Sequence, residues 1–501
     1  MKEAWKIAPR RTGGLLAIFA WLSLALLSSS HAQSDINLTG YTLTFHDEFD
    51  ALSVTTSNPK GTATWYFSPP YGAAGAYSDS IWDTGAFSVN NGILSDQAWI
   101  VTGEDRAGAY CGGPVGMKDG NGTALVMVGT AGTAINTHSG FQWDGYVGMK
   151  FTTGAGGLTV SQLGRYVTSG NSQTHDLILL DSATGNNVTN GRTTVATSGA
   201  TPGTFVYANL PASVTLPANH SYYLLSHEGN GDTSDAWHAG VSTIITTAST
   251  ITVEASEWGE WHSGNLSSVD PDHNGFAQQY GYFETRCQMP DSGNGAWPAF
   301  WLVPKNFGIS TNHLEVDIFE WYGVSHNDSP GLVSEATHNW PGSEANPPSE
   351  PTLYAPQTPM PDKSQPWAGY HIYGCQVDPV HVTFYIDGVR ANQLATATDY
   401  LTAPLYIMID YALGGGWPLT GMVNNSHLDV DWVRVYQLPA PSLAFQLNGS
   451  RLILNWPYGT LQQAANLLGP WLAVTGANTP SYTNVSLPSA PQMFYRVTIL
   501  P

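Results

Sequence analysis

Three carboxylates lie within one otherwise apolar segment, HLEVDIFEWYG, at residues 313–323. Glu315 and Asp317 are two residues apart, so an extended strand directs both side chains to the same face. Glu320 would face the other side of a regular strand, but a β-bulge adds one residue and returns it to the shared face. Because an ionised carboxylate is costly to bury without a partner, we expect this face to have a chemical role.

Two carboxyl groups on one face are the groups that cleave glycosidic bonds, and retaining enzymes hold them about 5–5.5 Å apart. Glu315 would attack the anomeric carbon, while Glu320 would protonate the leaving oxygen and later activate water. Asp317 would hydrogen-bond Glu315 and keep the outer groups in different protonation states. The alternative is a solvent-facing acidic edge. Against it, the opposite face has a core pattern: Leu314, Val316, Ile318 and Phe319.

The composition predicts an all-β protein with a neutral substrate. Charged residues make up only 11% of the 501 residues, aromatic residues make up 12%, and there are 53 glycines. The net charge of −21 disfavours binding to nucleic acid or to anionic membranes. The three cysteines, Cys111, Cys287 and Cys375, allow at most one disulfide, so the fold must depend on its hydrophobic core.

Residues 1–32 have the pattern of a signal peptide. A basic start is followed by an apolar run, Gly14–Leu27, and then by the small residues Ser30 and Ala32. A membrane anchor is the alternative, but the apolar run is shorter than the roughly 20 residues that span a bilayer. We therefore expect cleavage after Ala32 and a secreted protein. Removal of this segment's four basic residues and one acidic residue would change the net charge from −21 to −24.

The remaining sequence divides into regions of different composition. Residues 33–105 and 251–438 are rich in aromatic residues, whereas 106–250 is rich in Thr, Ser and Gly with short β-type runs. This pattern predicts one domain interrupted by an inserted β-sandwich module. The proline-rich joint LPAPS then leads to 439–501, which we expect to form a small C-terminal β module.

The carboxylate segment and its companions resemble the family 16 glycoside hydrolases. The motifs occur in the family's order: DEFD near the start, YGYFETR (Tyr280–Arg286), WPAFWL (Trp297–Leu302), EVDIFE (Glu315–Glu320), VTFYIDG (Val382–Gly388), GGGW (Gly414–Trp417) and VDWVRVYQ (Val430–Gln437). The resemblance implies a concanavalin-like β-jelly-roll whose concave face cleaves internal β-linkages with retention. The six-residue form of the carboxylate motif is similar to the laminarinase-like branch. The insertion at 106–250 departs from the family pattern.

The resemblance also suggests residues that bind substrate. It places Trp297, Trp301 and Trp417 in the cleft, with Arg286 donating to sugar hydroxyls. His338 and Trp340 would lie on the strand beside the carboxylates, with His338 near the leaving group. The alternative for the tryptophans is ordinary core packing, and the alternative for the histidine is a structural role.

A structural calcium ion is the one metal that the resemblance suggests. Its ligands would be the backbone carbonyls of Glu48 and Gly92 and the carboxylate of Asp431, since oxygen ligands suit Ca²⁺. The alternative is that Asp431 only caps its strand. Catalysis would need no cofactor in either case.

The leading expectation is a secreted, monomeric endo-β-glycanase acting on 1,3- or 1,3-1,4-β-glucan. The alternatives are another polysaccharide (galactan, carrageenan or exopolysaccharide), a transglycosylase, and a glycan-binding protein without turnover. A binding protein gains nothing from three clustered acids. The insertion could hold polymer near the cleft or act as a spacer. Its low tryptophan content favours the spacer, and then its removal should spare the cleavage of short substrates.

Overall fold

A computed structural model describes residues 35–71, 78–104, 115–129, 135–139, 145–229, 233–238, 244–246, 250–307, 312–324, 331–341, 353–401, 403–415, 417, 419, 421–449, 451–477, 481–484 and 492–499. The predicted signal peptide and Cys111 lie outside these residues. Strands dominate the described part of the chain, where the helical content is one 3₁₀ turn, Thr84–Ala86. The all-β prediction is therefore confirmed, and no described helix is long and apolar enough to cross a membrane.

The strands before the insertion are β1 (Thr42–Asp47), β2 (Val54–Thr55), β3 (Trp65–Phe67), β4 (Ile81–Trp82), β5 (Phe87–Asn90) and β6 (Ile93–Glu104). Those within it are β7 (Val115–Asp119), β8 (Ala124–Gly129), β9 (Ile135–Ser139), β10 (Gly145–Thr153), β11 (Leu158–Tyr166), β12 (Thr174–Asp181), β13 (Asn187–Ala196), β14 (Phe205–Leu216), β15 (Ser221–Glu228), β16 (Thr233–His238) and β17 (Ile244–Thr246).

The strands after the insertion are β18 (Ile251–Ser263), β19 (Asn265–Ser267), β20 (Gly281–Gln288), β21 (Ala296–Pro304), β22 (Asn312–Glu320), β23 (Leu332–Pro341), β24 (Leu353–Tyr354), β25 (Thr358–Pro359), β26 (His371–Val377), β27 (His381–Ile386), β28 (Val389–Ala395), β29 (Leu405–Leu413) and β30 (Ser426–Gln437). The C-terminal strands are β31 (Ala444–Asn448), β32 (Arg451–Asn455), β33 (Thr460–Ala464), β34 (Leu472–Ala473), β35 (Ser481–Asn484) and β36 (Phe494–Thr498).

Two large sheets pack on a shared core. The first, which we call the long sheet, has the order β13-β12-β15-β10-β18-β6-β30-β20-β26-β27-β28. The second, the carboxylate sheet, has the order β2-β3-β19-β29-β21-β22-β23-β24. Phe283 and Val433 of the long sheet and Phe300, Phe319 and Ile407 of the carboxylate sheet belong to one buried cluster. This is the layered sandwich that a period-2 apolar pattern on both sheets predicts.

The inserted segment has a core of its own, but one of its sheets is continuous with the long sheet. Its second sheet, β14-β11-β7-β8-β17, covers a distinct buried cluster that includes Met149, Leu163 and Leu179. Strand β10, however, pairs with β18 from Tyr146 to Thr153, and β18 then pairs with β6. The long sheet is therefore continuous across residue 250, so the insertion is attached by a strand ladder as well as by its chain connections. The boundaries of the four predicted segments remain predictions.

The C-terminal strands form two three-stranded sheets, β31-β32-β35 and β34-β33-β36. Their small core contains Leu454, Trp456, Leu461 and Val474. Elsewhere, the described cysteines, Cys287 and Cys375, are buried and free, and both belong to the core between the large sheets. Packing of apolar side chains, rather than cross-linking, holds the described sandwich together.

Candidate active site

Strand β22 carries the three carboxylates, and a bulge brings them to one face. Asp317 pairs with Ala336 and Glu320 pairs with Ser334. Between these two pairs, β22 advances by three residues while its partner β23 advances by two. Ile318 and Phe319 consequently both point into the core, where each contributes about 1.5–3 kcal/mol by burial. The predicted bulge is present, and the apolar pair anchors it. Glu315, Asp317 and Glu320 lie on the face away from the core, which we call the carboxylate face.

Glu315 and Asp317 share neighbours from β23. The indole Nε1 of Trp340 donates to Glu315 Oε2 at 3.0 Å. His338 Nε2 lies 2.8 Å from Asp317 Oδ2 and 3.9 Å from Glu315 Oε1. The imidazole of His338 also stacks on Trp340, with ring centroids 5.8 Å apart. His338 therefore touches the central carboxylate most closely, and Trp340 orients the first one.

Glu320 is held by two donors on one oxygen. Trp297 Nε1 donates to Glu320 Oε1 at 2.9 Å, and the hydroxyl of Tyr322 donates to the same atom at 2.8 Å. The rings of Trp297 and Tyr322 stack with centroids 6.2 Å apart, and the ring of Trp417 lies 6.4 Å from that of Tyr322. Tyr322 was not among the residues predicted from sequence. Its position two residues after Glu320 was the available signal.

Burial changes the charge state of the outer carboxyls. Together with the adjacent Asp317, burial raises the pKa of Glu315 to about 8, while His338 and Trp340 favour the ionised form. Burial also raises the pKa of Glu320 to about 7, again with a contribution from Asp317. Carboxyls that hold a proton near neutral pH are suited to general acid catalysis. Since both pKa values rise, their direction alone does not decide which group is the nucleophile.

Trp301 lies on the carboxylate face, but it is almost fully buried. Its side chain is 7% exposed, and its Nε1 donates to Asp410 Oδ2 at 3.1 Å. Asn265 donates to the same oxygen at 2.7 Å, and burial raises the pKa of Asp410 to about 7. Asp410 is a fourth buried carboxyl on this face, and sequence reasoning missed it. The main role of Trp301 is therefore packing. By contrast, Trp297, Trp340 and Trp417 are partly exposed.

Arg286 does not reach the carboxylates. It lies on β20 of the long sheet, where Phe283 and Cys287 point into the core and Arg286 points away from it. Its guanidinium pairs with Asp431 and lies 4.7 Å from the ring centre of Tyr370. The shared core separates it from the carboxylate face, so the expectation that Arg286 donates to sugar in the cleft is contradicted. The side-chain period of two determines which face a strand residue occupies.

Of the predicted calcium ligands, Glu48 and Gly92 lie close together, and Asp431 lies on β30 of the long sheet. A Cβ added at Gly92 would lie 3.7 Å from the carbonyl oxygen of Glu48. The Glu48 carboxylate is bound by Arg434 through contacts of 2.9 and 2.8 Å, and Asp431 is bound by Arg286. Backbone oxygens and a carboxylate fit Ca²⁺, although the carboxylate already has a cation beside it.

One described cluster has ligand atoms close enough to hold a metal ion: Glu315, Asp317 and His338, whose candidate atoms all lie within 4.8 Å of one another. This cluster coincides with the carboxylate face. Its acids have donors already, since Trp340 donates to Glu315 and His338 contacts Asp317. These contacts explain the cluster as part of a carboxyl-based site.

Comparisons with known proteins agree with this geometry. Residues 232–434 match the model of glycosyl hydrolases family 16. The segment is similar to endo-1,3-1,4-β-glycanase EglC of Rhizobium meliloti (strain 1021), with 32% identity over 204 residues, and to ExsH of the same organism, with 30% identity. Each alignment covers 40% of this chain and 39% of the relative, so the chain spans about two fifths of these relatives' length.

Solved structures also align with this chain. The laminarinase catalytic domain of Thermotoga maritima MSB8 aligns with a TM-score of 0.38 and 13% identity, covering 80% of this chain and 99% of that one. The sequence match extends over the carboxylate strand and its neighbours, including β20 to β23, β26 to β29 and most of β30. The segment that contains the candidate active site therefore resembles the glycosyl hydrolases of family 16.

Proposed function

We propose that the protein is an endo-acting β-glucanase that cleaves internal bonds of 1,3- or 1,3-1,4-linked glucan with retention of configuration. The observation that carries the proposal is the bulge in β22, which places Glu315, Asp317 and Glu320 on one face. Two of these carboxyls have raised pKa values, and neighbouring side chains donate to both. A face that only bound sugar would not require this arrangement of acids.

In the proposed mechanism, a Glu315 oxygen attacks the anomeric carbon while the bond to the leaving oxygen breaks. Glu320 transfers its proton to that oxygen, so the first product leaves as an alcohol. Glu320 then takes a proton from water, whose oxygen attacks the same carbon and releases Glu315. Asp317, held by His338, stands between the two groups and limits their simultaneous ionisation. The assignment of these two roles follows the family resemblance.

The proposed substrate class rests on the relatives and on charge. EglC and ExsH are described as endo-1,3-1,4-β-glycanases, and a relative in Niallia circulans as a glucan endo-1,3-β-glucosidase. A net charge of −21 suits a neutral polymer better than a sulfated one. The partly exposed rings of Trp297, Trp340 and Trp417 supply apolar surfaces for the C–H faces of glucose units. A transglycosylase would use the same groups with a sugar acceptor in place of water.

The substrate is tested by incubating the purified protein with neutral β-glucans, galactans and carrageenan and measuring new reducing ends. We expect release from 1,3- or 1,3-1,4-β-glucan, with oligosaccharides of several lengths at early times, as internal cleavage requires. Release from galactan or carrageenan alone would overturn the assignment. Longer chains formed without net reducing ends would favour the transglycosylase.

Secretion is a further part of this proposal. The basic start and apolar run of residues 1–32 support export of the protein, after which it would meet polymers outside the cell. N-terminal sequencing of protein recovered from a native culture tests it: the mature chain is expected to begin at Gln33. A cell-retained protein that begins at Met1 would contradict export.

We also propose a structural Ca²⁺ held by the carbonyls of Glu48 and Gly92 and by Asp431. An ion bound only to the folded state stabilises that state, so chelation should lower the melting temperature. Hydrolysis per folded molecule should not change, because the carboxylate face lies across the core. Asp431→Ala should remove the sensitivity to chelator. An unchanged melting temperature in wild-type protein would instead leave Asp431 as the ion-pair partner of Arg286.

A further inference from the structure

The inserted segment contacts a loop beside the proposed active site. We define the Trp417 loop as residues 414–425, of which 416, 418 and 420 lie outside the described residues. Arg192 on β13 of the insertion donates from Nη2 to the carbonyl of Leu419 at 3.3 Å and from Nη1 to the carbonyl of Met422. One side chain of the insertion thus binds two backbone positions of the loop.

Arg192 is itself fixed by the insertion. Its Nε donates to Asp176 Oδ1 at 2.8 Å, and its Nη2 donates to Asp176 Oδ2 at 2.6 Å. Asp176, on β12, is 6% exposed and also accepts from the hydroxyl of Tyr146 at 3.3 Å. A bidentate ion pair of this kind fixes the plane of the guanidinium. The remaining donors of Arg192 are therefore aimed at the loop.

The turn between β12 and β13 makes a second contact with the same loop. Asn424 donates from Nδ2 to the carbonyl of Gly185, and Asn425 donates from Nδ2 to Asn186 Oδ1. Asn424 also accepts at 2.6 Å from the backbone N–H of Ile100, which lies on β6. The end of the loop is therefore held between the insertion and the long sheet.

The other side of the loop lies against the segment that precedes β21. The N–H of Gly293 donates to the carbonyl of Gly421 at 3.1 Å, and the N–H of Val423 donates to Ser292 Oγ at 2.9 Å. Leu419 and Met422 are 3% and 0% exposed, and both belong to the main core. The carbonyls that Arg192 binds thus belong to the residues that anchor the loop.

The same loop sets the position of aromatic groups around Glu320. Trp417 lies beside Tyr322, whose hydroxyl binds Glu320. Gly415 has a φ of +59°, and a Cβ there would come within 2.8 Å of the Trp297 ring, so the loop backbone packs directly on that indole. Trp297 is the second donor to Glu320. A displaced loop would therefore move both donors and the exposed face of Trp417.

We propose that the inserted module is a positioning element for the glucan-cleaving site, with Arg192 as the residue through which it fixes the Trp417 loop. This inference rests on the proposed function of the carboxylate face. A spacer would need only its two chain connections, whereas this module places a guanidinium and a turn against one loop. The expectation from composition that the insertion is a spacer, with no effect on short substrates, is replaced by this proposal.

The test compares Arg192→Met with Lys118→Met in the full-length protein. Lys118 is a matched control, because it belongs to the same module and its ammonium lies over Tyr207, 4.6 Å from the ring centre, rather than on the loop. On a soluble 1,3-1,4-β-linked oligosaccharide, Arg192→Met should lower kcat/KM about tenfold, mostly through KM, because sugar binding at Trp417 weakens. Lys118→Met should match wild type. Arg192→Lys should recover only part of the loss, since one ammonium cannot form the bidentate pair and reach the loop.

A second readout keeps failure of this proposal separate from failure of the proposed function. Hydrogen exchange of the peptide covering 419–425 should be faster in Arg192→Met than in wild type or Lys118→Met. Faster exchange in a protein that cleaves no glucan would support the positioning role and sink the glucanase assignment. Unchanged exchange and unchanged kcat/KM in folded Arg192→Met would overturn the positioning role. If Arg192→Met does not fold, Asn186→Ala takes its place, because it removes one exposed contact to Asn425. Hydrogen exchange and kcat/KM then decide in the same way.

Discussion

Carboxylates on the two outer faces of the sandwich have opposite surroundings. On the long sheet, Glu48 is paired with Arg434 and Asp431 is paired with Arg286, and the hydrogen bond from Arg434 lowers the pKa of Glu48. On the carboxylate face, burial raises the pKa of Glu315 and Glu320, and their neighbours are indoles, a phenol and an imidazole. In the described part of the chain, no Arg or Lys forms an ion pair with them. Carboxylates paired with arginine stabilise the fold, whereas buried carboxyls whose neighbours are neutral donors and a histidine can exchange protons.

A raised pKa alone does not mark the site. Glu284, on the outer face of the long sheet, is buried against Tyr282 and Tyr436, and its pKa rises to about 7. Arg434 lies beside it and also binds Glu48, whose pKa is lowered rather than raised. A glycosidase needs two carboxyls on one face. The bulge of β22, which provides them, is therefore stronger evidence for an active site than the raised pKa of a single carboxyl.

The largest expected effect comes from removing either outer carboxyl. Glu315→Gln and Glu320→Gln should each reduce kcat on glucan by at least about a thousandfold, because covalent and proton-transfer steps both need an ionisable oxygen. The variants should keep wild-type circular dichroism and melting behaviour. Glu284→Gln is the matched control, since it removes a buried carboxyl of similar pKa from the opposite face, and its kcat should stay near wild type. A Glu315→Gln enzyme that retains more than a few per cent of its activity would refute the nucleophile.

A smaller effect should follow from removing one donor to Glu320. Tyr322→Phe deletes a hydrogen bond that favours the ionised form, so the pKa of Glu320 should rise further. Since Glu320 must carry a proton to act as an acid, the alkaline limb of the kcat/KM profile should move to higher pH, by up to about one unit. Profiles of wild type and variant would be measured on the same soluble substrate. A limb that stays fixed, or moves to lower pH, would remove Glu320 from the acid role.

The smallest effect is expected on the other face. The folded-state pKa of Glu48 is lowered by Arg434, so the pair contributes stability above the unfolded value of about 4.3, and this is lost as pH falls through the folded value. The pair is partly exposed, so the contribution should stay below about 1 kcal/mol. Glu48→Gln should lower the melting temperature slightly at pH 7, and the difference should shrink below pH 4. A constant difference across that range would contradict the ion-pair account.

The carboxylate strand could be predicted from sequence because its information is local. Side-chain alternation and one extra residue fix the face of Glu315, Asp317 and Glu320, and the apolar pair Ile318 and Phe319 fixes the bulge. Asp410 offered a similar signal, as a lone acid in the apolar run LYIMIDYAL, and went unrecognised because it has no neighbouring acid.

The other differences between the sequence predictions and the structure have a common cause. The family resemblance suggests that Arg286 lies in the cleft, yet β20 and β22 belong to different sheets. The role of Arg192 depends on a contact between residues 192 and 422, and composition carries no information about such long-range pairing. Local patterns give the face of a strand, whereas the sheet it joins is a tertiary property.

The anomeric form of the first product tests the central claim most directly. Proton NMR of a glucan digest, recorded within the first minutes and before mutarotation, distinguishes the two outcomes of a pair of carboxyls on one face. If Glu315 forms a covalent intermediate and Glu320 then activates water, the β-anomer appears first and the α-anomer grows only as mutarotation proceeds. Initial release of the α-anomer would mean single displacement by water, and it would contradict the assignment of Glu315 as nucleophile.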